Sequence, residues 1–355
     1  MSLNLIQLLV AFASTLVFLR LFSAIAPRLG IVDPPNHRKL HSGNVPLVGG
    51  LAIYAALVVG AALWGDRGVD SLTSYGKPLV VFLLAGGVLV LVGVIDDMRT
   101  VSVFARVVAE IAVALLLIEG LELRPSNLGD LFGGGEIELT GWIAYPFTII
   151  CVFGVINAYN MLDGMDGVVA VMTMITLLGF HLFTGTDPGL ITLFLGGALL
   201  AFLVSNLELW PLVPKTFLGD AGSKLMGLIV VTLLLAAADA DVAGFKFIEP
   251  VTALYLVGLP LYDMTFVTLR RVARGQSPVA ADRSHIHHLM QALGMNDRQA
   301  LLVISTIGIT PPALGFALAR AGAATHYQFW IFLGLFAVYC LLMREAWRVA
   351  GRLER

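Results

Sequence analysis

Eleven long apolar runs, joined by short polar links, constrain the fold of this 355-residue chain more than any other feature. A helix needs about 20 predominantly apolar residues to cross a bilayer. The runs extend over residues 3–25, 46–64, 78–95, 101–119, 142–160, 166–184, 189–205, 222–238, 248–269, 299–319 and 327–346. Only 13% of the residues are charged, against about a quarter in a soluble domain. The sequence therefore predicts an all-α polytopic membrane protein with eleven transmembrane helices in one domain, residues 1–355, and excludes a soluble enzyme.

The distribution of Lys and Arg predicts how the chain is oriented in the membrane. One set of links, together with the C-terminal tail, carries 15 of the 22 basic residues, and the opposite set carries 5. Cytoplasmic loops carry the excess of basic residues in membrane proteins. With an odd number of spans, the N-terminus is therefore expected outside and the C-terminus in the cytoplasm. The formal net charge of −2, without a dominant basic stripe, argues against nucleic-acid binding.

Five polar clusters lie on the predicted cytoplasmic side, and the first two flank the second and third spans. The first reads Asp-Pro-Pro-Asn-His-Arg-Lys-Leu-His over residues 33–41. Its Arg38 and Lys39 would hold an anionic head group through charge-assisted hydrogen bonds, or serve only as a positive-inside anchor. The second is the adjacent pair Asp96 and Asp97 at the inner end of the third span. Two carboxylates are costly there unless a cation or water is near, and a helix cap would explain only one of them.

The third and fourth clusters supply oxygen ligands. Asn157, Asn160, Asp163 and Asp166 follow one another at three-residue spacing, so the first three share a face if the helix continues. Their oxygens suit Mg²⁺ or Mn²⁺ rather than zinc, although a polar loop with Asx-turns is the alternative. Asp220 lies between glycines at the inner start of the eighth span. It is either an N-cap or a metal ligand beside a phosphate-binding helix N-terminus.

The fifth cluster is basic and lies in the largest inner link. Its side chains are Arg283, His285, His287 and His288. No Cys or spaced His completes a zinc site, so hydrogen bonding to a diphosphate is favoured over metal binding. Asp263, inside the ninth span, is a further acid that would pair with a buried cation or join the site. An acidic cluster for a divalent metal and a basic cluster for phosphates together indicate phosphoryl transfer.

The motifs resemble those of the polyprenyl-phosphate N-acetylhexosamine-1-phosphate transferases, and most closely the bacterial undecaprenyl-phosphate GlcNAc-1-phosphate transferases of the WecA type. The similarity extends from about Gly30 to His288. In family order it comprises Asp-x-Pro-Asn-x-Arg-Lys-x-His, Asp-Asp, Asn-x-x-Asn-x-x-Asp-Gly-x-Asp-Gly, Phe-x-Gly-Asp-x-Gly-Ser and His-x-His-His. The resemblance implies transfer of N-acetylhexosamine-1-phosphate from a UDP-sugar to undecaprenyl phosphate, with Mg²⁺ as cofactor, Mn²⁺ as an alternative, and release of UMP. It also implies an inner-membrane location with a cytoplasmic active site, and a homodimer is one candidate assembly.

The resemblance also implies a role for each site residue. Asp220 would be the principal Mg²⁺ ligand, with Asn160 or Asp163 beside it. Asp96 and Asp97 would lie by the lipid phosphate as base or alignment groups, and Asp163 and Asp166 would complete the catalytic set. Arg38 and Lys39 would bind the lipid phosphate. The expected UDP-sugar ligands are Asn157, Asn160, Arg283, His285, His287 and His288.

Departures from related enzymes narrow the expected substrate. Peptidoglycan relatives that transfer phospho-MurNAc-pentapeptide have a triple-His loop and a Thr-Pro-Thr-Met-Gly-Gly element. This chain has His-Ile-His-His and Asn-Val-Pro-Leu-Val-Gly-Gly instead, which favours a small N-acetylhexosamine. Two other classes stay open at this point. An ion-coupled transporter would use Asp263 and Glu110 as coupling sites, and a scaffold protein would leave the clusters unexplained.

Overall fold

The computed structural model describes residues 3–34, 43–64, 76–185, 190–238, 248–278 and 284–353. Within these ranges the fold is helical, with one short antiparallel sheet formed by β1 (Val32–Asp33) and β2 (Val45–Pro46). The helices are α1 (Leu3–Leu29), α2 (Gly49–Trp64), α3 (Gly76–Met98), α4 (Val103–Leu121), α5 (Ala144–Leu162), α6 (Val168–Thr184), α7 (Leu190–Asn206), α8 (Gly219–Ala237), α9 (Pro250–Leu256), α10 (Gly258–Ala273), α11 (Ile286–Ala292), α12 (Asp297–Arg320) and α13 (Thr325–Leu353).

Each predicted apolar run coincides with a helix or, at 248–269, with the pair α9 and α10. In the described part of the chain, α1, α3, α5, α8, α12 and α13 are long and apolar enough to cross a membrane, and α9 with α10 would make a seventh span. Helices α2, α6 and α7 are apolar but shorter, and the 19-residue α4 carries Arg106, Glu110 and Glu119. The architecture is therefore that of an all-α polytopic membrane protein, and the count of eleven spans stays a prediction.

Helix α8 is the central helix of the bundle. Its apolar window is 89% buried, against 17% for α1 and α13, and it packs against α2, α3, α5 and α6. Glycine allows close approach: a Cβ on Gly227 would lie 2.6 Å from the Ile156 Cα in α5. Because α8 is enclosed by other helices, the polar residues at its first turns are shielded from lipid.

Backbone contacts fix the start of α8 against two other helices. The Gly49 and Gly50 N–H groups, which open α2, donate to the Phe217 and Leu218 carbonyls at 2.9 Å each. A Cβ on Gly93, near the end of α3, would collide with the Ala221 backbone. The second and fourth polar clusters are therefore held together at one end of the bundle, beside the start of α2.

The predicted ninth span differs from a continuous helix. It is divided at Val257 into α9 and α10, which meet at 81°. Gly258 follows the break and packs against Pro311 of α12, where a Cβ would lie 2.7 Å from the proline Cβ. Helix kinks commonly have such Pro and Gly causes. The bend sets the direction of α10, which carries Asp263.

Candidate active site

The second and fourth clusters come into direct contact where α3 ends and α8 begins. The Asp220 N–H donates to Asp97 Oδ1 at 3.1 Å. Gly219 permits this because it has φ +72° and because a Cβ there would lie 2.6 Å from Asp97 Oδ2. The N-cap of α8 is Leu218, and Asp220 lies within the first turn. The capping alternative for Asp220 is therefore wrong, and its carboxylate is available for other chemistry.

Helix α5 brings the third cluster to the same point. Asn160 Nδ2 donates to Asp220 Oδ1 at 3.1 Å and to Ser223 Oγ at 2.9 Å. Helix α5 includes both Asn157 and Asn160, and Asn157 Nδ2 donates to Glu110 Oε2 of α4 at 2.7 Å. Asn160 therefore lies in the acidic cluster, whereas Asn157 joins α5 to α4 one turn deeper.

Two cations join these acids although no motif singles them out. Lys224 Nζ lies 3.3 Å from Asp96 Oδ2 and 3.7 Å from Asp220 Oδ2. Arg106 Nη1 of α4 lies 3.4 Å from the same Asp96 oxygen. The sequence held one usable signal, because Asp220 and Lys224 are four residues apart and share a helix face. Arg106 carried no such signal, since its contact depends on how α3 and α4 pack.

Asp163 ends α5 and lies half-buried beside the cluster. Desolvation by the surrounding protein, together with the charges of Asp220, Asp97 and Asp166, raises the pKa of Asp163 well above its usual range. A carboxyl group in this position favours a nearby cation, because a cation would stabilise its charged form. The role of Asp163 near a metal stays a prediction.

Asp166 lies in a polar groove. Its Oδ2 forms an ion pair with Lys215 Nζ at 2.9 Å, and its Oδ1 accepts from Asn206 Nδ2 at 3.2 Å. The groove has a volume of about 460 Å³ and also contains Glu208 and Arg298. The Asn206 Oδ1 atom is buried without a hydrogen-bond partner. The groove thus offers both signs of charge and an unused acceptor to a polar ligand.

The histidine cluster is anchored from α10 and α13. Asp263 is 1% exposed at its side chain, and its Oδ2 lies 2.6 Å from His285 Nδ1. Its Oδ1 accepts from the Ile286 N–H and the Tyr339 hydroxyl at 2.9 Å each. Asp263 therefore pairs with a side chain of the histidine cluster, and its membership of the active site stays a prediction. The carboxylate fixes which imidazole nitrogen of His285 faces the protein.

His287 connects this cluster to the loop after α5. Its ring packs on Gly164, where a Cβ would collide with Nε2, and its Nδ1 is buried without a hydrogen-bond partner. Burial, and then the charge of His288, lowers the pKa of His287 to about 3. His287 is therefore neutral at physiological pH, while the His288 ring lies 4.2 Å away, centroid to centroid. The predicted ligands Arg38, Lys39 and Arg283 lie outside the described residues.

The oxygen atoms around Asp220 form a candidate site for a divalent cation. Within the described ranges, no three His, Cys, Asp or Glu side chains converge in a metal-binding arrangement. Mg²⁺ does not require one, because it usually keeps several waters and binds one or two carboxylates plus substrate phosphates. Asp97 Oδ2 is buried without a hydrogen-bond partner beside the carboxylate of Asp220. These oxygens, with the Asn160 amide, fit Mg²⁺.

Comparisons with known proteins identify a family and several relatives that this chain resembles. Residues 79–238 match the family described as glycosyl transferase family 4. An undecaprenyl-phosphate alpha-N-acetylglucosaminyl 1-phosphate transferase of Salmonella typhi is 34% identical over 98% of this chain and 93% of its own length. The Escherichia coli K12 protein of the same name is 33% identical at the same coverage. A probable undecaprenyl-phosphate N-acetylglucosaminyl 1-phosphate transferase of Bacillus subtilis is 29% identical over 95% of this chain and 89% of its own length.

All three relatives are transferases, and they give no support to the transporter alternative. Two of them exceed 30% identity and extend over nearly the whole chain. The match includes all five polar clusters and the helices that bring the described parts of them together. The chain therefore belongs to the family of the undecaprenyl-phosphate N-acetylglucosaminyl 1-phosphate transferases, a family of membrane-bound phosphotransferases.

Proposed function

We propose that this protein transfers N-acetylhexosamine-1-phosphate, with GlcNAc as the expected sugar, from the UDP-sugar to undecaprenyl phosphate. The products are undecaprenyl-diphosphate-linked sugar and UMP, and the step begins O-antigen or a related surface polysaccharide. The observation that carries the proposal is the convergence of Asp97, Asn160, Asp163 and Asp220 at one end of the bundle. Phosphoryl transfer needs such a charged, enclosed site more than it needs covalent chemistry by the protein.

The proposed reaction is an in-line displacement at phosphorus. A phosphate oxygen of the lipid attacks the β-phosphorus of the UDP-sugar and forms the new P–O bond. The bond between the β-phosphorus and the bridging oxygen breaks, and its electron pair leaves with UMP. The lipid phosphate is already an anion near pH 7, so relief of repulsion between phosphates matters more than a strong base. A two-step route through an aspartyl phosphate is the alternative.

Mg²⁺ is the proposed cofactor, with Mn²⁺ as a substitute. Asp220 would hold the metal together with Asn160 or Asp163, and the unpartnered Asp97 Oδ2 lies beside them. When bound, the cation would neutralise charge on the diphosphate and stabilise the leaving UMP.

The two substrates approach from different sides of this cluster in the proposal. Arg38 and Lys39, which lie outside the described residues, would bind the lipid phosphate. The nucleotide sugar would contact Asn160 and the histidine cluster with Arg283, and its polar part would extend toward the groove at Asp166. The packing of His287 on Gly164 supports the proposed position of the nucleotide sugar, because it brings His287 against the loop that joins Asp163 to Asp166.

The finer membrane arrangement also belongs to the proposal. We propose eleven spans in one domain, an outer N-terminus and a cytoplasmic C-terminus in the bacterial inner membrane. The 15-to-5 distribution of Lys and Arg supports this orientation. The described polar clusters at one end of the bundle support an active site facing the cytoplasm. A homodimer remains one candidate assembly.

The direct test measures UMP release by the purified protein with undecaprenyl phosphate, Mg²⁺ and a panel of UDP-sugars. We expect release that requires the lipid, the metal and an N-acetylhexosamine donor, with UDP-GlcNAc preferred. The Glu345→Gln variant is a matched control, because Glu345 is exposed near the end of α13 and pairs only with neighbouring arginines among the contacts recorded there. No release from any UDP-sugar, with correctly folded protein, would refute the proposal.

A further inference from the structure

Lys224 is a buried lysine at the centre of the acidic cluster. Its side chain is 2% exposed and extends from the second turn of the enclosed helix α8. A buried ammonium group is costly unless opposite charges compensate for its lost hydration. The compensating groups are Asp96 Oδ2 at 3.3 Å and Asp220 Oδ2 at 3.7 Å. The lysine therefore depends on both carboxylates, and they in turn depend on it.

The two adjacent aspartates at the end of α3 differ in how their oxygens are used. Asp96 Oδ2 pairs with Lys224 and Arg106, and its Oδ1 accepts from the Val101 N–H at 2.9 Å. Asp97 Oδ1 accepts the backbone N–H of Asp220, but its Oδ2 is buried without a hydrogen-bond partner. Both oxygens of Asp96 are thus occupied within the protein, and one oxygen of Asp97 is not.

We propose that Lys224 is a positioning residue that assigns different roles to the two aspartates. It holds Asp96 as a structural counter-ion and steadies Asp220, so that Asp97 is the member of the pair that faces the reacting groups. This inference rests on the proposed function and deepens it, because neither the motifs nor the comparisons distinguish Asp96 from Asp97. Arg106 assists as the second cation on Asp96.

The arrangement has a physical reason. Asp96, Asp97 and Asp220 lie close together, and like charges in a protein interior repel strongly. One cation between Asp96 and Asp220 relieves that repulsion without occupying Asp97. Removing either member of a buried ion pair leaves the other uncompensated, whereas removing both together is far better tolerated. The pair Lys224–Asp96 should therefore behave as a unit, and Lys224–Asp97 should not.

A double-mutant cycle tests this directly. The first cycle comprises Lys224→Met, Asp96→Asn and the double variant of the two. The matched control cycle replaces Asp96→Asn by Asp97→Asn. Thermal unfolding is measured in EDTA, which makes the result independent of metal and of turnover. Lys224→Met should lower Tm by several degrees, and adding Asp96→Asn should restore at least half of that loss. Adding Asp97→Asn should restore little.

Steady-state kinetics supply the second readout. Lys224→Met should reduce kcat about tenfold with little change in KM for either substrate, and the double variant with Asp96→Asn should recover most of it. Asp97→Asn should remain at least about a hundredfold impaired in either background. Additive Tm losses for Lys224 and Asp96 would overturn the inference. So would a stable Asp96→Asn protein as inactive as Asp97→Asn. Inactivity of the wild type would instead refute the proposed function, while the Tm cycle would still decide the pairing.

Discussion

Replacing Asp220 by Asn separates its charge from its shape. Asn keeps the size of the side chain and can still accept from Asn160 Nδ2. It removes a full negative charge 3.7 Å from Lys224 Nζ and beside the unpartnered Asp97 oxygen. Two effects on folding oppose each other. On one side, an acid in the first turn of a helix is worth about 0.3–1 kcal/mol, and Lys224 loses the more distant of its two carboxylate partners while it keeps Asp96 at 3.3 Å. On the other side, repulsion from Asp96 and Asp97 disappears with the charge.

We therefore expect the metal-free stability of Asp220→Asn to lie within about 1 kcal/mol of wild type. Turnover should behave differently, because a charged Mg²⁺ ligand contributes several kcal/mol to the transition state as an order of magnitude. Each 1.36 kcal/mol is tenfold in rate, so kcat should fall at least about a hundredfold. A higher concentration of Mg²⁺ should be needed for half-maximal activity.

The assay is Mg²⁺-dependent UMP release by wild type and Asp220→Asn at matched, monodisperse protein levels, with thermal unfolding in EDTA alongside. Glu345→Gln serves again as the charge-removal control away from the cluster. Near-normal turnover with an unchanged Mg²⁺ requirement would show that Asp220 is not a metal ligand. A large loss of stability in EDTA would show that its role is structural.

Three further predictions address the surroundings of this cluster. Gly219→Ala should lower the free energy of unfolding by about 1–2 kcal/mol in thermal unfolding, because φ is +72° and the new Cβ would lie 2.6 Å from Asp97 Oδ2. The control Gly334→Ala has open space around it and should leave stability unchanged. Equal losses of stability in the two variants would contradict the reasoning. Asp263→Asn should raise KM for the UDP-sugar more than KM for the lipid, because it weakens the contact that holds the His285 ring. A change confined to the KM for the lipid would contradict this prediction. Lys39→Ala should raise KM for the lipid phosphate selectively, and equal effects on both substrates would reject that assignment.

The extent of the helices could be predicted from the sequence because it depends on local composition. The apolar runs are set by the bilayer requirement for continuous hydrophobic length, and each was found as a helix or helix pair. The break between α9 and α10 was not predicted, because α9 and α10 together are apolar enough to be read as one span despite Glu249 and Asp263. Gly258 and Pro260 were the available signals. The packing of Gly258 on Pro311, which accompanies the break, is a tertiary contact that hydropathy does not encode.

The site was predicted less evenly. Motif spacing predicted that Asn160 and Asp163 share a face if the helix continues, and the family resemblance implied that Asn160 lies near Asp220. Motif spacing could not distinguish Asp96 from Asp97, because neighbouring residues on a helix point in different directions and their partners belong to other helices. Lys224 was counted only among the basic residues that orient the chain. From sequence, a lysine at the inner end of a span is interpreted as a positive-inside residue. The structure shows that the Lys224 side chain is buried.

Acidic side chains outnumber the cations Lys224 and Arg106 in the described part of the polar cluster. Five acids, namely Asp96, Asp97, Glu110, Asp163 and Asp220, share this end of the bundle with Arg106 and Lys224. Two cations balance only two carboxylates, so the cluster carries an excess of negative charge whenever more than two of the five acids are ionised. Substrates that are themselves phosphates would be repelled by such a site alone. A divalent cation held by these acids would reverse that repulsion, and this is the physical reason for proposing a metal together with phosphoryl transfer.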